Sequence, residues 1–211
     1  MQQNLRILLS SVIFLYFLGL RTQHLEAEEI FQHAEHCLAY KTEETFLLFI
    51  ASDVVGKTCE ISARLESEGG NTRYVVSFPI RSLYSGIDMR DEDVNKILSV
   101  ESHPYIRFVS DFVTGEQVVE ALIQGKTTIS GILEVGGRPY KVIFPLKLTE
   151  NSGGWLVTGK LVTSLSKFGL ELPAVLGGVV GKVLDHLELL VHLRLDRVHG
   201  VAEFQKDSMS Q

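Results

Sequence analysis

Residues whose types and spacing could do chemistry lie in two places in this chain. One is Arg90-Asp91, closing the run Ile87-Asp88-Met89-Arg90-Asp91, where a cation sits beside a carboxylate at the head of an acid-led amphipathic stretch. Such a pair can brace a helix start or face a polar group, but bond breaking also needs a nucleophile, an acid or a base in contact with a partner. The other is His24, His33, His36 and Cys37, metal-ligand types crowded near the N-terminus. A metal site needs ligands held by a scaffold with hydrogen-bonding groups behind them. This charged arm shows no such support, so it reads as solvated surface, and no metal or other cofactor is expected.

Catalytic signatures are missing elsewhere in the sequence. No Gly-x-Ser-x-Gly, His-Glu-x-x-His or paired-cysteine motif occurs. The apolar, glycine-rich run from Phe168 to Gly181 lacks phosphate-loop spacing, and Lys182 after it leads into a strand. It is expected to cover one mouth of the fold as a loop or short helix. The chain is not expected to be an enzyme.

The elements that must position these residues follow from periodicity. After the arm, alternation with period two dominates between turn residues, as in half-buried antiparallel strands. Strands are expected at Cys37–Tyr40, Phe46–Ile50, Thr58–Glu66, Arg73–Leu83, Ile106–Val113, Val118–Gly131, Arg138–Leu148, Trp155–Thr163 and Leu187–Leu195. A turn is expected at Ser52–Gly56. Asp91 to Leu98 has acids first and apolar residues at Val94, Ile97 and Leu98, which predicts a short helix. Eight or nine such strands favour a closed barrel, because closure removes exposed sheet edges.

The 211 residues are 45% hydrophobic and 22% charged, enough for one domain with a substantial core. A net charge of −6 without a basic stripe gives no driving force for a phosphate backbone, so nucleic acid is excluded as a partner. Residues 1–27 read as a signal peptide, with Arg6 ahead of an apolar run from Ile7 to Leu20 and a cleavage point between about Gly19 and Glu28. No stable transmembrane span is expected after cleavage, and the chain is expected in the periplasm or secreted. Residues 28–40 form an arm with a short first strand, 41–197 the barrel domain and 198–211 a polar tail. Cys37 and Cys59 allow one internal disulfide, and sequence leaves open whether they bridge. A homodimer also stays open.

With one face of each strand turned inward, the lining comprises Ile61, Leu65, Val76, Phe78, Ile80, Ile106, Phe108, Phe112, Ile123, Ile129, Val142, Phe144, Leu146, Val157, Leu161, Leu189, Val191 and Leu193. Polar inward groups are few, mainly Ser110, Thr127 and Thr163. A barrel with this interior either fills itself with side chains or holds one ligand, and alternation alone does not separate the two.

Several motifs resemble the YceI-like family of lipocalin-shaped, lipid-binding proteins over roughly residues 40–197. They are Val54-Val55-Gly56, Arg90-Asp91, and Pro104 with Ile106 and Phe108. The family's Gly-x-Leu-Thr-Ile-His-Gly stands here as Gly125-Lys126-Thr127-Thr128-Ile129-Ser130-Gly131, and its Ser-Arg-x-Asp-Phe-Gly as Ser164-Leu165-Ser166-Lys167-Phe168-Gly169. The resemblance implies a mainly β fold: an extended antiparallel eight-stranded, lipocalin-like β-barrel with one short helix and an apolar loop at a barrel mouth. It further implies a polyisoprenoid or comparable long-chain lipid as the partner, carried or sequestered without chemistry. The alternative is an envelope interaction module with a filled barrel whose loops bind a protein. Arg90-Asp91 is then either a brace with Asp91 as N-cap or a polar rim facing a headgroup.

Overall fold

The computed structural model describes residues 30–32, 34–46, 50–171, 174–175 and 181–201. The chain divides into two compact units, 1–34 and 35–211, and the second contains the sheet. Its strands are β1 (Cys37–Phe46), β2 (Ile50–Thr58), β3 (Ser62–Glu68), β4 (Asn71–Pro79), β5 (Tyr105–Ser110), β6 (Val113–Thr114), β7 (Lys126–Val135), β8 (Arg138–Asn151), β9 (Gly154–Thr163), β10 (Ala174–Val175), β11 (Gly181–Val183) and β12 (Leu187–Arg194). The two helices described in full are α1 (Asp88–Ile97) and α2 (Gly115–Gln124).

Nine strands form one antiparallel path, β2-β1-β12-β9-β8-β7-β5-β4-β3, curled into a half-barrel of lipocalin-like form. Alternation sets which side faces in. On β8, Val142 and Phe144 are buried while Lys141, Ile143 and Lys147 are exposed, because successive side chains of a pleated strand point to opposite faces. No ladder joins β2 to β3 among the described residues. Single bridges stand at that seam instead: Lys57 and Tyr84 exchange backbone hydrogen bonds at 3.0 Å, and His199 bonds Ala63 and Leu65 at 3.0 and 2.9 Å. Residues 198–201, expected as the start of a polar tail, therefore lie against β3.

The helices lie at opposite ends of the barrel. A 3₁₀ turn (Ile80–Ser82) links the Pro79 end of β4 towards α1, whereas β6 pairs with Asn71 and Thr72 at the other end of β4 and runs into α2. At about 3.4 Å per residue, β4 holds the two ends roughly 27 Å apart.

Two expectations from sequence are corrected. Val118–Gly131 is not one strand: Gly115–Gln124 is helical, and β7 begins only at Lys126. The cause is a capping box, in which Thr114 Oγ1 accepts from the Gln117 N–H at 3.3 Å and Gln117 Oε1 accepts from the Thr114 N–H at 2.8 Å. Gly125 ends the helix at φ 64°, a left-handed conformation that glycine adopts without penalty. Secondly, β1 runs to Phe46, and the expected turn at Ser52–Gly56 lies inside β2, in register with Glu44 to Tyr40. Polar residues misled the pattern. Lys41, Thr42 and Glu44 are buried on β1, where Lys41 pairs with Asp53 at 2.8 Å and Thr42 donates to the His186 carbonyl at 2.6 Å.

Cys37 and Cys59 are bridged, tying the start of β1 to the end of β2 across 22 residues. A loop of this size contributes about 3 kcal/mol by restricting the unfolded chain. Replacing both cysteines by serine should lower the thermal midpoint by roughly 6–12 °C, measured by circular dichroism. An unchanged midpoint would show that the bridge contributes nothing to stability.

Beside Cys37, His36 is buried, and its Nδ1 accepts from the Arg194 backbone N–H at 3.1 Å. Burial, then the nearby Arg197 charge, holds its pKa below the ordinary 6.5. The unfolded chain therefore binds this proton more readily than the folded one. The stability tied to His36 is complete above about pH 6.5 and is lost as pH falls through the lowered folded value. His36→Gln should flatten the decline in thermal midpoint between pH 7 and 5, and an identical slope in the two proteins would refute the assignment.

Candidate ligand-binding cavity

The half-barrel encloses a cavity of about 1440 Å³, larger than the roughly 300–1,000 Å³ of common small-molecule pockets. Strands supply its walls through alternate side chains: Tyr74, Val76 and Phe78 from β4, Ile106 and Phe108 from β5, Ile129 from β7, Phe144 and Leu146 from β8. Val157 on β9 and Leu189, Val191 and Leu193 on β12 continue the surface opposite, with Leu65 from β3. Phe108 and Phe144 meet edge to face, their ring centroids 6.1 Å apart, a favoured aromatic arrangement. Helix α2 covers one end with Val118, Ala121 and Leu122, beside the single tryptophan, Trp155. Val94, Ile97 and Leu98 of the α1 region cover the other.

Six residues expected in the lining lie elsewhere. Ile80 and Val142 are buried in the core cluster with Phe168 and Leu187, and Leu161 packs against that cluster. Ile80 leaves the alternation because β4 ends at Pro79 and the chain enters the 3₁₀ turn. Ile61 precedes β3 and does not reach the cavity. Phe112 is 42% exposed, with the Arg73 guanidinium 5.1 Å above its ring, because β5 stops at Ser110. Ile123 is 80% exposed on the outer face of α2, the direct result of a helix where a strand was expected.

The polar groups facing the cavity include three that periodicity did not nominate, Tyr40, Thr42 and Glu44, all on β1. Glu44 is 6% exposed and pairs with Arg90 of α1, whose Nη2 stands 3.1 Å from Oε1. An ion pair in this position offsets part of the cost of burying the carboxylate. The Tyr40 ring covers Gly56, where a Cβ would fall 2.2 Å from a ring carbon, so a side chain at this position of β2 would have to displace that ring. Burial first, then the Asp91 charge, pushes the Tyr40 hydroxyl up to about 12, which leaves it a neutral donor.

Asp91 itself is a brace. Its carboxylate accepts from the Ser85 backbone N–H at 3.0 Å and the Ser85 hydroxyl at 2.6 Å, fixing the loop that enters α1. It is not the N-cap, a position held by Ile87, because α1 starts at Asp88, three residues before the expected start. Arg90 lines the cavity and Asp91 holds the loop.

Glu35 lies within ligand distance of the Cys37 and Cys59 sulfurs. Those sulfurs are joined in a disulfide and are not the thiolates that metals bind. His24 and His33 lie outside the described residues. The Ser110 hydroxyl is committed to structure, accepting from the Tyr74 N–H and donating to the Asp111 carbonyl, both at 2.8 Å. The apolar run expected at a barrel mouth is described only in part, with Ala174 and Val175 pairing with β11 and 176–180 outside the described residues.

The YceI-like domain family matches residues 21–195, well over half of the sequence. The chain belongs to the YceI-like family. Among solved structures, this YceI-like chain is similar to BcnA of Burkholderia cenocepacia, with 16% identity and a TM-score of 0.53, covering 74% of this chain and 94% of that one. It is also similar to a polyisoprenoid binding domain from Saccharophagus degradans implicated in plant cell wall breakdown, with 14% identity and a TM-score of 0.52 over the same shares. At such identities the likeness is one of fold. No curated protein matches the chain. No described helix is long and apolar enough to cross a membrane.

Proposed function

We propose that this YceI-like chain is an exported, non-enzymatic protein that carries or sequesters a long-chain isoprenoid or similar lipid in the periplasm or outside the cell. The observation that carries the reading is the apolar cavity of about 1440 Å³ between α1 and α2. Each methylene buried there contributes about 0.8 kcal/mol, so a long hydrocarbon binds tightly with little polar recognition. The fold shared with a polyisoprenoid binding domain supports the same ligand class. The Cys37–Cys59 bridge suits an oxidising compartment. A barrel filled by its own side chains, as a pure interaction module would have, would not leave this space.

The test is to purify the protein from its exported fraction, extract it with organic solvent and identify the extract by mass spectrometry. A chain-like lipid near one per protein is the expected result. Protein that is always lipid-free, and takes up no long-chain lipid when offered it, would overturn the proposal.

A further inference from the structure

The wall of the cavity is not equally closed all round. Most neighbouring strands are joined by continuous ladders, as β7 and β8 are from Lys126–Lys147 to Val135–Arg138. At the seam between β2 and β3, where the described residues form no ladder, β2 is met by Tyr84 and β3 by His199. These two contacts are supported differently. Leu83 before Tyr84 is buried, Ser85 after it is held by the Asp91 carboxylate, and Ser82 shares a hydrogen bond of 2.6 Å with Thr58 at the end of β2. Residues 198–201 instead lie along the edge of β3 as a short strap. Among the described residues, the backbone hydrogen bonds joining strap to strand are both His199's, its N–H donating to Ala63 at 3.0 Å and its carbonyl accepting from Leu65 at 2.9 Å. Gly200 crosses Leu65 at φ 89°, where a Cβ would fall 3.3 Å from the Leu65 Cβ. Val198 is buried, and with Val201 it lines the cavity, so the strap is a piece of the wall.

We propose that this seam is the port through which a long-chain lipid enters and leaves, and that the strap 198–201 is its movable part. Entry at either end would displace α1 or α2, whose apolar side chains cover the cavity there. Entry through a laddered part of the wall would break a run of hydrogen bonds between two strands. Lifting the strap breaks two, and the freed groups regain water, which offsets most of that cost. The remainder is the exposure of Val198 and Val201. An opening this small belongs to the local fluctuations of a folded protein rather than to its unfolding. The gap leads directly to the cavity surface, since Ala63 is in register with Val76, which projects into the cavity.

The inference rests on the lipid-carrier reading, and its test keeps the two apart. Arg64 and His199 stand opposite each other at the bridge, so Arg64→Cys and His199→Cys are combined in the full chain and joined by a short bis-alkylating cross-linker. Cys37 and Cys59 are bridged to each other and do not react. Uptake and release of cis-parinaric acid, a fluorescent long-chain fatty acid, are followed by stopped flow before and after linking. Linking should slow both rates at least roughly tenfold and change the Kd by less than about twofold, because a port sets the barrier and not the bound state. His199→Pro removes one of the two hydrogen bonds and should speed both rates at least about threefold. Val198 already has φ −91° and ψ 120°, a conformation suited to the residue before a proline. Lys57→Cys with Tyr84→Cys, linked in the same way across the braced contact, should leave both rates unchanged. Rates unaffected by the first link, or slowed as much by the second, overturn the strap as port while leaving lipid carriage intact. If the Arg64 and His199 replacements prevent folding, His199→Pro decides alone, and unaltered rates overturn the port. If the unaltered protein takes up no probe, both proposals fall.

Discussion

Val76→Trp is expected to cost the protein its bound lipid while leaving it folded. Val76 projects into the cavity from β4, in register with Ala63 on β3 and Phe108 on β5. An indole there takes up the volume of on the order of three methylenes, which at about 0.8 kcal/mol each amounts to roughly 50-fold in affinity. Because a long chain must thread past this point, the loss in retained lipid should be larger than that for the longest ligands. The side chain enters open space, so its effect on unfolding free energy should be within about 1 kcal/mol. A packed interior predicts the reverse, since overpacking costs about 1–3 kcal/mol. Lipid recovered per protein and a urea unfolding curve therefore decide between the readings. Unaltered lipid content with lowered stability would mean that the cavity is not where the ligand lies.

Legibility of the fold in the sequence followed how cleanly each strand separates its two faces. β8 was readable because Val142, Phe144 and Leu146 alternate with Lys141, Ile143, Pro145 and Lys147, and the structure keeps that division. β1 was not, because it buries polar residues on both faces, Thr42 and Glu44 towards the cavity and Lys41 on the other side, each satisfied by a partner on another element: His186, Arg90 and Asp53. No local pattern announces a buried lysine whose carboxylate lies on the next strand. For the same reason alternation does not nominate the polar groups that β1 turns towards the cavity.

Helix α2 failed differently. Its signal, Thr114-Gly115-Glu116-Gln117 with Gly125 eight residues beyond Gln117, was present, but Val119, Ala121 and Ile123 also alternate as on a strand while Val118, Ala121 and Leu122 keep helical spacing. The capping box decides such cases because it satisfies backbone donors that only a helix start leaves orphaned. Once α2 is a helix, Ile123 turns outward while Val118, Ala121 and Leu122 cover the cavity. The misread element was thus the one that covers an end of the cavity.

The largest loss of stability should come from Gly131→Ala. Gly131 sits opposite Ser110 where β7 pairs with β5, and a Cβ there would fall 2.3 Å from the Val109 carbonyl oxygen and 2.7 Å from the Ser110 Cα. Both are backbone atoms, held by neighbours on either side. The ring of Phe108, 2.8 Å from the same point, blocks the remaining direction, and that ring is also part of the cavity wall. Relief requires β5 and β7 to separate, which sacrifices ladder bonds and moves Ile106 and Phe108. The cost is expected at about 3 kcal/mol or more, the upper end of overpacking, with lipid retention falling alongside. Gly115→Ala is the matched control: nothing lies within 4 Å of its Cβ, and it opens α2. There the added methyl restricts only the unfolded chain and should stabilise by about 0.4–1 kcal/mol. Urea unfolding followed by Trp155 fluorescence measures both. Equal stabilities for the two variants would mean that the close approach of β5 to β7 does not constrain this position.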